Sequence, residues 1–377
     1  MSELSRRAFV GMTTLGGGLL AARPAAAART ERLGADFTGD GVSLEPAAYA
    51  DLLARLVRAG GVAADEYSRG GAVEALEGQF ANLLGKEAAV FMPSGTLANH
   101  LAVRTLSGAR RRVIVQEISH LYNDSGDCAQ QLSQINLIPL APGKATFTWD
   151  EAARVLDRAA SGRVPTQVGA IAMESPVRRL HGETFDFAEM QRICGQARAR
   201  GIGLHLDGAR LFVACAYSGR SPVEYAALFD TVYVSLWKCF NAAGGAILAG
   251  PRAALADLYN VRRMFGGALW NAWPYAAVAR HYAEGYLERL TAAVRVSESL
   301  LERLSKDERF AIDRVPNGTS LFRLTPRTAD LGAYRERLAA RGVRVPAPDG
   351  GGFWLKVNET LAAASPEALA EASRSAL

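Results

Sequence analysis

Short apolar runs alternate with amphipathic segments along most of this chain, and this alternation is the feature that most restricts its fold. The runs have the length of buried strands, and helix-period segments such as FDFAEMQRICGQARARG lie between several of them. Such alternation favours βαβ units and a mostly parallel sheet with helices on both faces. The predicted strands lie at residues 88–92, 112–117, 167–173, 203–207, 231–236 and 245–250.

The pattern changes after about Trp270, where a long helical stretch begins and shorter strand and helix segments follow. We therefore predict an α/β fold with a large domain at residues 29–270, built on the mostly parallel sheet. A smaller C-terminal α+β domain at residues 271–377 would begin with the long helix. A chain of 377 residues with 49% hydrophobic content is long enough to build both cores.

The first 28 residues have the layout of a signal peptide. A charged start precedes a modestly apolar middle of about a dozen residues and a run of alanines. The pair Arg6-Arg7 resembles the twin-arginine export signal, which carries folded proteins across the bacterial inner membrane. We therefore expect a periplasmic protein, with an ordinary secretory signal, a membrane anchor or a cytoplasmic location as alternatives. No other window holds 18 uncharged apolar residues, so we expect no membrane span in the mature chain.

Charge and cysteine content argue against a nucleic-acid-binding protein and against a metal site. The net charge of +5 is spread along the chain without a basic block, which argues against a nucleic-acid partner. The four cysteines have no metal or redox spacing, and we predict no metal site. Buried thiols are the simplest expectation for a protein that folds before export.

Polar residues with chemical potential follow several predicted strands. In an open parallel sheet, ligands bind beyond the carboxyl ends of the strands. Ser94, Gly95 and Thr96 follow the first strand and open a helix whose free N–H groups can hold a phosphate, although Ser94 in this position is also an ordinary helix cap. The residues that follow later strands are His120, Asp207, Arg210 and Lys238.

Each of these residues alone has a structural explanation, but together they indicate one cofactor. A phosphate site, a ring that can stack, a carboxylate in a dry site and a lysine are the groups needed to hold pyridoxal 5'-phosphate. Lys238 would form the Schiff base, and Asp207 would keep the pyridine nitrogen protonated. Burial would lower the pKa of Lys238 and so favour its action as a nucleophile.

Four blocks of the sequence resemble the threonine aldolase and aromatic amino-acid β-eliminating lyase family of fold-type I pyridoxal-phosphate enzymes. They contain PSGTLAN, EISHLYND, HLDGAR and VSLWKCFN, and the resemblance runs from about Asp36 to Gly267. The resemblance implies phosphate contacts from Gly95 and Thr96, ring stacking by His120, pyridine-nitrogen pairing by Asp207, substrate-carboxylate binding by Arg210 and Schiff-base formation by Lys238.

The resemblance also implies a fold-type I transferase-like architecture and active sites at the interface of a homodimer or homotetramer. Ser235, three residues before the lysine, stands where many fold-type I enzymes place a hydroxyl that reaches the phosphate. Tyr67 and Arg263 are candidates to reach the cofactor of a partner subunit.

The chain departs from the family pattern at two places. Cys239, Phe240 and Asn241 follow the lysine where the family has Gly-Leu-Gly, and Trp270 stands where the family has an arginine. Trp237 before the lysine and Trp270 would make the pocket more apolar, unless they pack an interface instead.

The arginine that the family's small domain uses for the substrate carboxylate is not evident either. Lys356 or Arg344 could replace it.

These features predict a lyase that acts on an amino acid, cleaving a β-hydroxy amino acid to glycine and an aldehyde. His120, directly or through water, is the candidate base for the hydroxyl proton. Aromatic substrates such as phenylserine would be preferred to threonine. The alternatives are β-elimination, transamination or a non-catalytic binding protein.

The export prediction can be tested by replacing Arg6 and Arg7 with lysine. Because the pair serves as an address and not as structure, the double variant should accumulate in the cytoplasm as folded, active protein. Cell fractionation and activity in each fraction measure this. Normal export of the variant would indicate the general secretory route.

Overall fold

The computed structural model describes residues 33–377. The predicted signal peptide lies outside the described residues. The strands of the described part are β1 Ala35–Asp36, β2 Ala88–Met92, β3 Arg112–Gln116, β4 Asn136–Leu140, β5 Val168–Glu174, β6 Gly203–Asp207, β7 Thr231–Ser235, β8 Ala246–Gly250, β9 Phe310–Arg314, β10 Leu321–Pro326, β11 Val343–Arg344 and β12 Phe353–Lys356.

The helices alternate with these strands as the sequence pattern predicts. They are α1 Pro46–Ala59, α2 Gly71–Leu84, α3 Gly95–Ser107, α4 His120–Asn123, α5 Cys128–Ser133, α6 Trp149–Ser161, α7 Phe187–Ala199, α8 Leu211–Ser218, α9 Pro222–Ala226, α10 Leu236–Cys239, α11 Arg252–Leu255, α12 Leu258–Met264, α13 Trp273–Ala283, α14 Tyr286–Ser305, α15 Leu331–Ala340 and α16 Pro366–Ser375, with 3-10 turns at Arg178–Leu180 and Glu359–Ala363.

A seven-stranded sheet with the order β2-β8-β7-β6-β5-β3-β4 forms the centre of the protein. Strand β8 is antiparallel to both of its neighbours, and the other pairings are parallel. All residues of β5, β7 and β8 are buried, which explains why these strands are continuous apolar runs in the sequence. The predicted α/β fold with a mostly parallel sheet is therefore confirmed.

The strand at the edge of this sheet, β4, was not predicted. Its sequence NLIPL has only one buried residue, Leu137, and contains Pro139, which lacks a backbone donor. A strand with these properties lies at an edge, where it needs neither an apolar run nor a complete set of hydrogen bonds.

A second hydrophobic core lies beside a three-stranded antiparallel sheet of order β12-β10-β9. Two N-terminal residues, Ala35 and Phe37, belong to this second core, and β1 pairs in parallel with β11. Helix α14 belongs to two hydrophobic cores. It contributes Leu290 to the core around the seven-stranded sheet and Leu300, among others, to the second core. The division of the chain at residue 270 stays a prediction.

The structure adds three observations on the described residues. None of their helices is long and apolar enough to cross a membrane. No group of three or more metal-ligating side chains is placed to hold an ion within residues 33–377. The four cysteines are buried and unpaired.

Candidate active site

The carboxyl ends of β3, β5, β6 and β7 bring the predicted site residues to one edge of the sheet. A small cavity lies at this edge, beyond the strand ends where parallel sheets bind ligands. It is lined by His120, Glu174, Arg178, Asp207, Ala209, Tyr233 and Lys238. Three residues predicted from separate parts of the sequence, His120, Asp207 and Lys238, therefore meet in one place.

Lys238 lies on α10, a single helical turn that follows β7, and not on the strand itself. Its side chain is buried, and Nζ lies 5.3 Å from the centre of the Trp237 ring. Burial lowers the pKa of the Lys238 ammonium, and the charge of Arg210 lowers it further, against the opposite effect of Asp207. The lysine is thus more easily deprotonated than a surface lysine and better suited to act as a nucleophile.

Asp207 is buried at the end of β6 within a hydrogen-bonded network. The side-chain amide of Asn99 donates to Asp207 Oδ2 at 2.5 Å, and Asn99 Oδ1 lies 2.8 Å from His205 Nε2. His205 Nδ1 lies 2.9 Å from the hydroxyl of Thr231. Burial lowers the pKa of His205 to about 4, so the ring is neutral at physiological pH.

These contacts fix the direction of each hydrogen bond. Because a carboxylate only accepts hydrogen bonds, Asn99 must turn its amide group toward Asp207 and its oxygen toward His205. The neutral His205 then carries its proton on Nε2, and Nδ1 accepts from Thr231. The network holds Asp207 as an oriented carboxylate, the state needed beside a pyridine nitrogen.

Asn99 and His205 were not predicted as site residues. Both lie in quoted motifs, Asn99 in PSGTLAN and His205 in HLDGAR. Asn99 stands four residues after Gly95 on α3, one turn further along the same helix face. That spacing is the signal that could have identified it.

Glu174 is a second buried carboxyl group that the sequence analysis missed. It ends β5, pairs in register with Asp207, and accepts hydrogen bonds from the backbone N–H groups of His120 at 2.6 Å and Arg178 at 2.8 Å. Burial and the neighbouring charge of Asp207 raise the pKa of Glu174 to about 7. Glu174 therefore fixes the start of α4, which carries His120.

His120 is half-buried, with its ring beside Ser125. The hydroxyl of Ser125 lies 3.3 Å from His120 Nδ1 and donates to the backbone carbonyl of His120 at 3.1 Å. Burial is the main cause that lowers the pKa of His120, and the ring is therefore neutral at physiological pH.

The start of α3 and the end of β7 approach each other closely at the predicted phosphate site, which we call the phosphate cradle. A Cβ atom on Gly95 would lie 2.0 Å from the Tyr233 hydroxyl, so only glycine allows this close approach. The Ser235 hydroxyl is fully buried and has no hydrogen-bond partner among the described residues. An unpaired buried hydroxyl beside free helix N–H groups fits the phosphate of pyridoxal phosphate. Thr96 follows Gly95 in the first turn of α3. The Ser94 hydroxyl accepts a hydrogen bond from the backbone N–H of Leu97, so Ser94 acts as a helix cap, the alternative role given in the sequence analysis.

Arg210, the predicted ligand of the substrate carboxylate, is already paired within the chain. Its Nε and Nη2 donate to the two carboxylate oxygens of Asp40, each at 2.9 Å. Lys356 Nζ lies 3.4 Å from Asp40 Oδ1, whereas Arg344 pairs with Asp36 at 3.3 Å. The structure thus brings Lys356 to Arg210, and the role of both in substrate binding stays a prediction.

The residues predicted to reach a partner subunit lie outside the cavity. The Arg263 guanidinium lies over the Tyr67 ring at 4.5 Å, and Trp270 packs edge-on against the same ring at 4.8 Å. Trp270 is 58% exposed and Trp237 52% exposed. Their roles, and that of Arg263 as a cofactor contact, stay predictions.

Replacement of Asn99 by Ala tests the network around Asp207. The variant leaves a buried carboxylate and a buried imidazole without their partner, which should lower the free energy of unfolding by about 1–3 kcal/mol or more. Chemical denaturation measures the loss. Asn82→Ala removes an exposed amide from α2 and should change the free energy by no more than about 0.5 kcal/mol. Equal losses in the two variants would contradict the network.

Comparison with known proteins places the chain in a family. The family model for beta-eliminating lyases matches residues 53–330. The chain is 30% identical over 208 residues to the low specificity L-threonine aldolase of Saccharomyces cerevisiae, an alignment that covers 54% of this chain and 52% of the yeast protein. The chain therefore spans about half the length of this curated relative.

Solved structures give a more complete match. A candidate L-allo-threonine aldolase of Listeria monocytogenes has a TM-score of 0.73 and 26% identity, covering 92% of this chain and 97% of that one. A candidate aromatic amino acid beta-eliminating lyase/threonine aldolase of Exiguobacterium has a TM-score of 0.74 and 27% identity, covering 92% and 98%. These findings confirm the predicted fold-type I architecture and the predicted pyridoxal-phosphate cofactor. The chain belongs to the beta-eliminating lyase family.

Proposed function

We propose that the protein is a pyridoxal-phosphate-dependent lyase that cleaves a β-hydroxy amino acid to glycine and an aldehyde. The observation that carries the proposal is the meeting of Lys238, Asp207 and His120 in one buried cavity beside a phosphate cradle. The threonine aldolase names of similar proteins support the reaction class.

The residues that would hold the cofactor come from four elements. The N–H groups of Gly95 and Thr96 and the hydroxyl of Ser235 would bind the phosphate, and Tyr233 closes the cradle behind Gly95. Asp207 would face the pyridine nitrogen, and the His120 ring would lie against the cofactor. When bound, pyridoxal phosphate supplies an electron sink for the carbon–carbon bond that breaks.

The chain's own residues would manage the protons. Lys238 is predisposed to lose its proton because burial and Arg210 lower its pKa, so its neutral amine would be available to hold the cofactor. His120 is neutral because burial lowers its pKa, so one of its ring nitrogens can accept the proton of the substrate's β-hydroxyl group. Cys239, next to the lysine, is no rival nucleophile, since burial raises the pKa of its thiol to about 12.

The substrate side chain would lie near Trp237, whose ring is close to Lys238 Nζ. We extend the proposal to a preference for aromatic β-hydroxy amino acids, because an apolar wall favours an apolar substrate group. Trp270 would contribute to this wall or to an interface.

We also propose that the protein forms a homodimer or homotetramer. Support comes from the exposed apolar side chains of Trp237, Met264 and Trp270, which a monomer would leave in water. Arg263 and Tyr67 lie against Trp270 and could reach a partner's site. Export to the periplasm through Arg6 and Arg7 is the remaining part of the proposal.

The function is tested by product analysis with Lys238→Ala. The wild type should release glycine and an aldehyde in equal amounts from threonine and from phenylserine, with higher kcat/KM for phenylserine. Lys238→Ala should show no turnover, and its peptide should carry no pyridoxyl group after borohydride treatment. Lys306→Ala, which removes an exposed lysine paired with Glu302, is the matched control and should behave as the wild type.

Two other product patterns would change the assignment. Ammonia with a keto acid would indicate β-elimination, and a keto acid with an aminated cofactor would indicate transamination. Absence of turnover and of bound cofactor in the wild type would support a non-catalytic binding protein.

The phosphate cradle is tested by Gly95→Ala. The added methyl group would displace the Tyr233 hydroxyl, and overpacking of about 1–3 kcal/mol should weaken pyridoxal phosphate binding by roughly five- to hundredfold. Fluorescence titration of the apoprotein measures the dissociation constant. Binding of pyridoxal, which lacks the phosphate, should change much less.

Gly78→Ala provides the control for this test. Gly78 lies on α2 with open space around its Cβ position, so the variant should bind both ligands as the wild type does. An unchanged affinity of Gly95→Ala for pyridoxal phosphate would move the phosphate site elsewhere.

A further inference from the structure

A buried carboxylate, Asp40, joins two cations close enough to Lys238 for the charges to interact. Its oxygens accept two hydrogen bonds from Arg210, and Lys356 approaches one of the same oxygens. Burial opposes ionisation of Asp40, but the charges of Arg210, Lys356 and Lys238 and the hydrogen bonds from Arg210 hold its pKa below the ordinary value. The cluster of Arg210, Lys356 and Asp40 carries one net positive charge, which a single carboxylate would neutralise.

The pairing leaves part of Arg210 available. Asp40 takes the edge formed by Nε and Nη2, whereas Nη1 makes no hydrogen bond to any other residue in the described part of the chain. A guanidinium has five N–H donors in a rigid plane, so its other edge can still bind a carboxylate through two donors. Asp40 therefore orients the guanidinium without exhausting it.

Lys356 is held in place from a different direction. It ends β12, its backbone N–H donates to the carbonyl of Phe37 at 3.0 Å, and its side chain is 26% exposed. The ammonium thus reaches Asp40 while part of the side chain stays exposed to solvent. Arg344, the other cation considered for this role, is 53% exposed and bound to Asp36.

The segment that carries Asp40 is packed against the backbone of the reactive lysine. A Cβ on Gly41 would lie 2.8 Å from the Lys238 carbonyl oxygen, and Val42 N donates to Asn241 Oδ1 at 2.7 Å. Asn241 in turn donates to Glu359 at 2.9 Å. The position of Asp40 is thus tied to α10, the turn that carries Lys238, where the amino group of a substrate would bind.

We propose that Asp40 is a positioning residue that holds Arg210 and Lys356 as a two-cation site for the α-carboxylate of the amino-acid substrate. The inference rests on the proposed function only in that an amino acid binds at Lys238. Lys356 and the free edge of Arg210 contact the carboxylate. Asp40 contacts neither substrate nor cofactor and acts through the two cations.

The test is a spectrophotometric titration of the holoenzyme with glycine and with methylamine, which is glycine without the carboxylate. Lys356→Met should raise the dissociation constant for glycine by roughly ten- to hundredfold, the range for a charge-assisted hydrogen bond, and leave that for methylamine unchanged. Lys306→Met removes an exposed lysine that is paired with Glu302, and it should change neither constant.

Asp40→Asn distinguishes two roles of Asp40: positioning Arg210 for the substrate carboxylate, or competing with that carboxylate for Arg210. If Asp40 positions Arg210, the amide should weaken glycine binding, because an amide nitrogen cannot accept from the guanidinium. If Asp40 instead blocks the site, its replacement would free Arg210 and tighten glycine binding, which would overturn the proposal. Where Asp40→Asn fails to fold, Lys356→Met alone decides, since equal loss of glycine and methylamine binding would also overturn it.

The titration measures binding and requires no cleavage. The carboxylate site and the proposed reaction can therefore be contradicted separately. A wild type that binds glycine as described but cleaves no β-hydroxy amino acid would retain the carboxylate site and lose the aldolase assignment. A wild type that cleaves such substrates while all variants bind glycine equally would retain the assignment and lose the carboxylate site.

Discussion

The buried carboxylate of Asp207 is the constraint on which the rest of the site depends. A charge in a dry interior is costly unless it is hydrogen-bonded, and the chain supplies Asn99 as its partner. Asn99 is braced by His205, and His205 by Thr231. The network therefore joins α3, β6 and β7 through side chains alone. Because α3 begins at Gly95, where we propose that the phosphate binds, the same network would set the distance between that position and the carboxylate.

Charge is arranged around this centre in two groups. On one side, Glu174 lies beside Asp207. Burial, and to a smaller extent the charge of Asp207, raises the pKa of Glu174 to about 7. On the other side, Asp40 lies between Arg210 and Lys356. Lys238 stands between the two groups, and charges from both affect its pKa.

The sequence predicts the fold because six of the seven central strands, all but β4, are separate apolar runs. Strands β2 and β6 have the predicted bounds, and the other four central strands begin or end within one residue of them. The apolar run before the lysine did not reveal α10, because a buried helical turn and a buried strand have similar composition. The backbone conformation of Asn241 was also not evident from the sequence. Its φ of 54° lies in the left-handed region that favours glycine or asparagine. That backbone explains why asparagine can replace the family's glycine there.

The contacts that complete the site could not be read from the sequence. Asp40 and Arg210 are separated by 170 residues, and Asn99 and Asp207 by 108. Motif reading identifies residues that follow strands, but it does not identify the partner that a distant segment brings to them. Asp40, Asn99 and Glu174 each have an ordinary local role in the sequence. Only the folded chain brings Asp40 and Glu174 near Lys238 and Asn99 to Asp207.

A crystal structure of the protein purified with pyridoxal phosphate is the decisive measurement. We expect continuous density between the cofactor and Lys238 Nζ, the phosphate at Gly95, Thr96 and Ser235, and the pyridine nitrogen within hydrogen-bond distance of Asp207. A cofactor bound to another lysine, or one whose pyridine nitrogen faces away from Asp207, would contradict it.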